Sequence, residues 1–213
     1  AMTEVALRLD GPDDAPLTIA LAHGAGAPMD SPFMAEAAAG LVERGWRVAR
    51  FEFPYMVRRR EDGKKRPPDK QATLLTTWRE VIDALGPAQR LVVGGKSMGG
   101  RMASLVADEA GVAGLVCFGY PFHPPGKPDN LRIDHLRELA TPALILQGER
   151  DPFGKREEVE TYPLADGIAV HWLPDGNHDL APRKRSGYTA EDNLAAALAA
   201  TDAFLRERAA GVA

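Results

Sequence analysis

Five residues near the middle of the chain, Gly95-Lys96-Ser97-Met98-Gly99, match the pattern G-x-S-x-G. They follow the apolar run Leu91-Val92-Val93-Gly94 and precede an amphipathic segment, which puts Ser97 at a strand-to-helix turn. A serine at such a turn adopts a strained backbone, and flanking glycines remove the Cβ atoms that would strike neighbouring chain. Gly100 extends that clearance into the helix. The bare pattern is weak, because average residue usage yields it in roughly one chain in twenty of this length. A tight turn whose serine only caps a helix would read the same way. Its weight comes from its position and from the residues downstream of it.

A serine hydroxyl is a poor nucleophile until a base takes its proton, so Ser97 implies a histidine, and a carboxylate to orient it. In chains where this turn tops a parallel sheet, the order is serine, acid, histidine. Asp151, in Gln147-Gly148-Glu149-Arg150-Asp151-Pro152 after the run Ala143 to Leu146, is the expected acid. Glu149 and Asp175 are the alternatives and read as solvated loop carboxylates. Of the five histidines only His171 and His178 follow Asp151. His171 lies within a strand, whereas His178 ends Pro174-Asp175-Gly176-Asn177-His178 just beyond it, so His178 is the expected base.

Acyl transfer also needs donors for an oxyanion. The amide after the nucleophile, that of Met98, is one; the second is expected from His23-Gly24-Ala25-Gly26-Ala27-Pro28, with Ala25 the first choice and Gly26 the next. His23 reads as structural. A phosphate cradle is the bland alternative, but neither G-x-x-x-x-G-K-[ST] nor G-x-G-x-x-G occurs there. Tyr55, Tyr120, Phe122 and His123 are expected to line the substrate pocket, although His123 packing on its prolines fits equally well.

The elements that must position these residues alternate. Val5, Leu7 and Leu9 suggest a half-exposed antiparallel edge strand, and buried strands come next at Leu17 to Leu21, Arg47 to Phe51, Leu91 to Gly94, Gly114 to Phe118, Ala143 to Leu146 and Ile168 to Leu173. Helical periodicity runs from Phe33 to Arg44, through Leu74, Trp78, Val81 and Leu85 to the stop at Gly86-Pro87, after Ser97, and from about Thr189 onward. Val57 to Asp69 reads as a long polar loop. This pattern predicts an α/β architecture: a mostly parallel central sheet with helices on both faces and chemistry at the strands' carboxyl ends. Neither a repeat nor a linker divides residues 1–213, which are expected to form a single domain.

Composition narrows the function. A net charge of −4 lacks the footprint of a nucleic-acid binder, and the longest apolar runs fall short of a membrane span. The start Ala1-Met2-Thr3-Glu4 has no basic and apolar leader, and the lone Cys117 reads as a core residue; both point to the cytoplasm. No metal-ligand spacing such as H-E-x-x-H occurs, and the chemistry above requires no cofactor. Two basic stretches, Arg58 to Arg66 and Arg183 to Arg185, stand out in an acidic chain. Both come after strands on the catalytic edge, so an anionic substrate or partner at the pocket mouth is expected.

Together, His23-Gly24-Ala25-Gly26-Ala27, Phe51-Glu52-Phe53-Pro54-Tyr55, Gly95-Lys96-Ser97-Met98-Gly99-Gly100, Gly119 to Lys127 and Asn177-His178-Asp179-Leu180 resemble a family. It is that of the small, cap-less α/β-hydrolases related to dienelactone hydrolases. The resemblance extends to hydrolase-like domains of a testis-expressed protein and of a subunit of an animal chromatin-modifying complex. It implies the α/β-hydrolase fold without a cap domain, and Ser97, Asp151 and His178 as the triad. Dienelactone hydrolases proper carry cysteine where this chain has Ser97, so their substrate does not transfer.

The leading expectation is a serine esterase acting on a small-molecule ester or thioester through an acyl-enzyme. A noncatalytic scaffold or binding module on the same fold is the competing class. Acyl transfer to an acceptor other than water, or thioester cleavage, would use the same residues. Leaving group, acyl preference and oligomeric state stay open.

Overall fold

The computed structural model describes residues 5–212; the Ala1 to Glu4 start lies outside them. In chain order the elements are β1 (Arg8–Asp10), β2 (Thr18–Ala22), α1 (Pro32–Glu43), β3 (Arg47–Phe51), α2 (Pro54–Asp62), α3 (Gln71–Leu85) and β4 (Leu91–Lys96). They continue with α4 (Met98–Ala110), β5 (Gly114–Phe118), β6 (Ala143–Gly148), α5 (Arg156–Val159), β7 (Ile168–Leu173) and α6 (Ala190–Ala210). The strands form one sheet in the order β1-β3-β2-β4-β5-β6-β7. β1 runs antiparallel to β3, and every other pairing is parallel. This is the α/β-hydrolase fold, and no cap domain interrupts its connections among the described residues.

Strand periodicity explains why both faces are covered. Ala20, Ala22, Phe51, Val93, Cys117 and Ile145 point to the side where α3 and α4 pack with Trp78, Met102 and Val106. Their neighbours Ile19, Leu21, Val48, Val92, Val116 and Leu146 point the other way, onto Met34 and Leu41 of α1 and Leu198 and Leu205 of α6. Trp78 is fully buried, so Trp78→Ala would cost about 3–5 kcal/mol.

Local chemistry sets the boundaries. Pro32 and Pro54 open α1 and α2, where proline's fixed φ suits the first turn. Thr189 and Asp192 cap α6 reciprocally, at 3.0 and 3.3 Å.

Two expectations need correction. β1 begins only at Arg8, opposite Arg50, and Val5 lies beyond the end of its partner β3 at Phe51. The stretch Val57 to Asp69 is helical up to Asp62. α2 is charged from Arg58 to Asp62, and ion pairs replace the apolar stripe that would have marked it there: Arg60 with Glu52 and Asp30, Arg58 with Asp69. Asp69 also accepts the Tyr55 amide at 2.8 Å, in the first turn of α2.

Candidate active site

Because the sheet is parallel, β2, β3, β4, β5, β6 and β7 all end on one edge, and the chemistry-bearing loops collect there. Ser97 follows β4 at the centre, with φ 49° and ψ −115°. That conformation is costly for a non-glycine residue and persists only where surroundings hold it. Here the Ser97 amide donates to Phe118 O at 3.0 Å, and Trp78 Nε1 donates to Gly99 O at 3.1 Å. Gly95 is required for close approach: at φ 152°, a Cβ would lie 2.8 Å from the Ala22 amide nitrogen and nearer still to its oxygen.

The structure brings Ser97, His178 and Asp151 together. His178 Nε2 lies 2.8 Å from Ser97 Oγ, and Nδ1 lies 2.8 Å from Asp151 Oδ2. An ionised carboxylate only accepts, so Nδ1 carries the proton and Nε2 is free to accept from the serine hydroxyl. Asp151 is fully buried, while 21% of the His178 side chain is exposed. The Phe153 ring stacks on the imidazole with centroids 4.2 Å apart, and the Phe153 amide donates to Asp151 Oδ1 at 2.8 Å.

Several residues that hold this arrangement were not singled out by sequence reasoning. Gln147, buried at the end of β6, donates to Asp151 Oδ2, Tyr120 O and Gly154 O, each at 3.2 Å, and accepts the Tyr120 amide at 2.9 Å. A polar residue closing an apolar strand run was the available signal, since buried amides need partners. Gly119 leaves room for His178: at φ 71° a Cβ would lie 2.8 Å from His178 O and 3.3 Å from its Nδ1. Lys96 reaches His178 O at 3.0 Å and Asp179 Oδ1 at 2.8 Å. Asn193 of α6 donates to Pro174 O and Leu180 O, both at 2.9 Å, fastening the loop that carries His178.

The loop after β2 lies against the nucleophile. A Cβ on Gly24 would sit 3.8 Å from Ser97 Cβ, and Ala25 and Gly26 are exposed beside it. Their carbonyls are turned to other partners: Tyr55 OH donates to Ala25 O at 2.8 Å and Arg59 to Gly26 O at 2.8 Å. His23 is wholly buried, accepts the Phe53 amide on Nε2 at 3.1 Å and bonds Gly24 O through Nδ1 at 2.6 Å. Burial holds its pKa below the ordinary value, so it is neutral at pH 7. Met98 opens α4, where first-turn amides have no intrahelical acceptor.

The residues expected to line the pocket are buried. Tyr55, Tyr120, Phe122 and His123 are all at most 3% exposed, so none presents a free face to a ligand. Tyr55 props the Ala25 loop, and burial raises its pKa so that it remains a donor. Tyr120 OH donates to Arg132 O at 2.8 Å, Phe122 packs on Tyr120 and Tyr162, and His123 pairs with Glu158 at 3.1 Å. The alternatives for acid and base lie elsewhere. Glu149 pairs with Arg156 and Asp175 with Arg183, and His171 is exposed on the edge strand β7.

Part of the charge in the two basic stretches is paired. Arg58, Arg60, Arg66 and Arg183 are each within 3.0 Å of a carboxylate, because acidic residues are interleaved or brought beside them by the fold. A cavity of about 650 Å³ opens between α2 and α3, lined by Val57, Arg58, Thr73 and Thr76, and contains none of Ser97, Asp151 or His178. No helix among the described residues is long and apolar enough to cross a membrane.

Comparison with known proteins agrees with the fold. The sequence pattern of the family described as alpha/beta hydrolase domain matches residues 15–206. A dienelactone hydrolase from Anabaena variabilis superposes with a TM-score of 0.71 at 21% identity, covering 95% of this chain and 91% of that one. A serine hydrolase without lid from Xanthomonas campestris gives 0.64 at 20% identity, over 96% of this chain and 87% of the other. An alpha-beta serine hydrolase homologue from Coxiella burnetii gives 0.68 at 17% identity, over 94% and 89%. At these identities the likeness carries the fold.

Proposed function

Because the chain belongs to the alpha/beta hydrolase family, we propose that it is a serine hydrolase of small carboxylic esters that works through an acyl-enzyme on Ser97. The observation that carries this reading is the unbroken relay from Asp151 through His178 to Ser97, with 2.8 Å at each step. A scaffold has no use for a strained serine aligned with a buried carboxylate and an oriented imidazole.

Ser97 Oγ attacks the ester carbonyl carbon while its proton passes to His178 Nε2. The carbonyl electrons move onto oxygen, and the amides of Met98 and Ala25, with Gly26 as the alternative second donor, receive the oxyanion. Collapse breaks the carbon–oxygen bond, and the departing alcohol takes the proton from His178. Water, deprotonated by His178, then cleaves the acyl-enzyme and releases the acid. Asp151 keeps the imidazole in the required tautomer and stabilises the imidazolium. Every step uses groups of the chain itself.

A fluorophosphonate probe should label Ser97, mapped by mass spectrometry, and should fail on Ser97→Ala. A panel of aryl and alkyl esters beside matched thioesters assigns the leaving group. Absence of both labelling and turnover would support the noncatalytic scaffold.

A further inference from the structure

Phe153, two residues beyond Asp151, is half-buried and lays its ring on the His178 imidazole, with centroids 4.2 Å apart and planes inclined by 28°. Aromatic pairs meet either stacked or edge to face. Edge-on, the imidazole would spend one ring edge on Phe153. Stacked, it keeps both edges free, and Nδ1 and Nε2 hold their 2.8 Å contacts with Asp151 and Ser97.

The surrounding chain fixes Phe153 in that place. Its amide donates to Asp151 Oδ1 at 2.8 Å, and its carbonyl accepts the His123 amide at 3.1 Å. The next residue, Gly154, packs flush on Phe122, where a Cβ would lie 2.6 Å from the ring Cδ2. Its carbonyl accepts from Gln147 Nε2 at 3.2 Å. His123 is 3% exposed, its ring held between Pro124 O at 2.8 Å and Glu158 Oε2 at 3.1 Å. Phe122 and His123, buried and closed to a ligand, thus brace the backbone on which the Phe153 ring stands.

A proton passed from Ser97 would turn the imidazole into a cation, and a cation within about 6 Å of an aromatic face is attracted by the ring quadrupole. The charged groups around His178 meet its edge or its backbone instead. Asp151 bonds Nδ1, Lys96 Nζ bonds the carbonyl oxygen, and Asp179 is paired with that lysine at 2.8 Å. Among the described residues Phe153 is the aromatic ring stacked on the imidazole face.

We propose that Phe153 is a positioning residue that acts through His178: its ring keeps the imidazole in the plane of the relay and favours the imidazolium formed in each half-reaction. This rests on the serine hydrolase reading above.

The test is Phe153→Leu, which keeps an apolar cover on the imidazole and removes the π face. On an aryl ester kcat should fall about fivefold with KM little changed. The acid limb of kcat/KM against pH should move to lower pH by about half a unit, because an imidazolium that is less stabilised gives up its proton sooner. Phe153→Tyr should restore both values. Phe153→Met takes the place of Phe153→Leu if the latter fails to fold by circular dichroism. A proton NMR titration of His178 in Ser97→Ala protein needs no turnover, and adding Phe153→Leu there should lower the midpoint by the same half unit. If esters turn over but kcat is unchanged, or falls with neither the limb nor the midpoint moving down, the role of Phe153 is wrong and the hydrolase reading survives. If no ester turns over yet the midpoint moves down, the stacking effect stands and the hydrolase reading falls. No turnover with a fixed midpoint overturns both.

Discussion

Lys96 Nζ donates to the carbonyl oxygen of His178 at 3.0 Å, so the residue just before Ser97 holds the loop that brings the His178 imidazole to the serine hydroxyl. The lysine is 11% exposed and also pairs with Asp179 at 2.8 Å. Lys96→Met keeps an apolar stem on the Phe33 ring, which Nζ overlies at 5.0 Å, and loses both loop contacts. We expect kcat on an aryl ester to fall about tenfold with KM little changed, because the base is less well placed but the pocket is intact.

Ser97→Ala and His178→Ala should each lower kcat by about 10³-fold or more, and Asp151→Asn by about 10³–10⁴-fold, since the three act as one unit. Thermal melts should stay cooperative. His171→Ala, on the exposed face of β7, should leave turnover unchanged. Equal damage from His171→Ala would refute His178 as base.

Gln147→Leu preserves volume but strands the Tyr120 amide and removes a donor from Asp151. Stability to urea should fall by about 2–3 kcal/mol, because buried polar groups lose their partners. Turnover should fall with it under conditions where the variant is fully folded. A variant as stable and active as the parent would show that Gln147 has no positioning role.

Stability should decline on mild acidification. Burial holds His23 below its ordinary 6.5, so the unfolded chain takes up the proton more readily than the folded one. That difference makes stability rise with pH: the contribution is whole above 6.5 and is lost as pH falls below it. His135 shifts in the same direction, for the same main reason. Asp175, held well below the usual carboxylate range by Arg183, acts only in stronger acid. Melting temperature should therefore drop between pH 7 and 5, and His23→Asn should flatten the slope. An unchanged slope in that variant would exclude His23 as a source.

The sheet and the placing of Ser97, Asp151 and His178 on one edge were legible because strand and helix periods differ sharply and the elbow has a mechanical signature. The burial of Tyr55, Tyr120 and Phe122 was not legible, because aromatic residues after strands look the same whether they face a ligand or the core. Burial distinguishes the two, and all three are at most 1% exposed. α2 was missed because its stability comes from Glu52, Asp30 and Asp69, which lie outside the helix in sequence. Gln147 and Lys96 act through partners up to 83 residues away, a relationship that no local pattern encodes.

The strand order β1-β3-β2-β4-β5-β6-β7 has a consequence for evolvability. Asp151 and His178 come from loops beyond β6 and β7, on one flank of Ser97, whereas β1, β3 and α2 occupy the other flank, from which Tyr55 and Arg59 hold the Ala25 and Gly26 carbonyls. The relay residues and the supports of the Gly24 to Gly26 loop thereby lie on opposite flanks. Segment exchange between Asp62 and Gln71, or lengthening there into a lid, would reshape which molecules enter while leaving the relay untouched. A directed-evolution library seeking new substrates belongs in that stretch, and one seeking faster turnover belongs on the far flank.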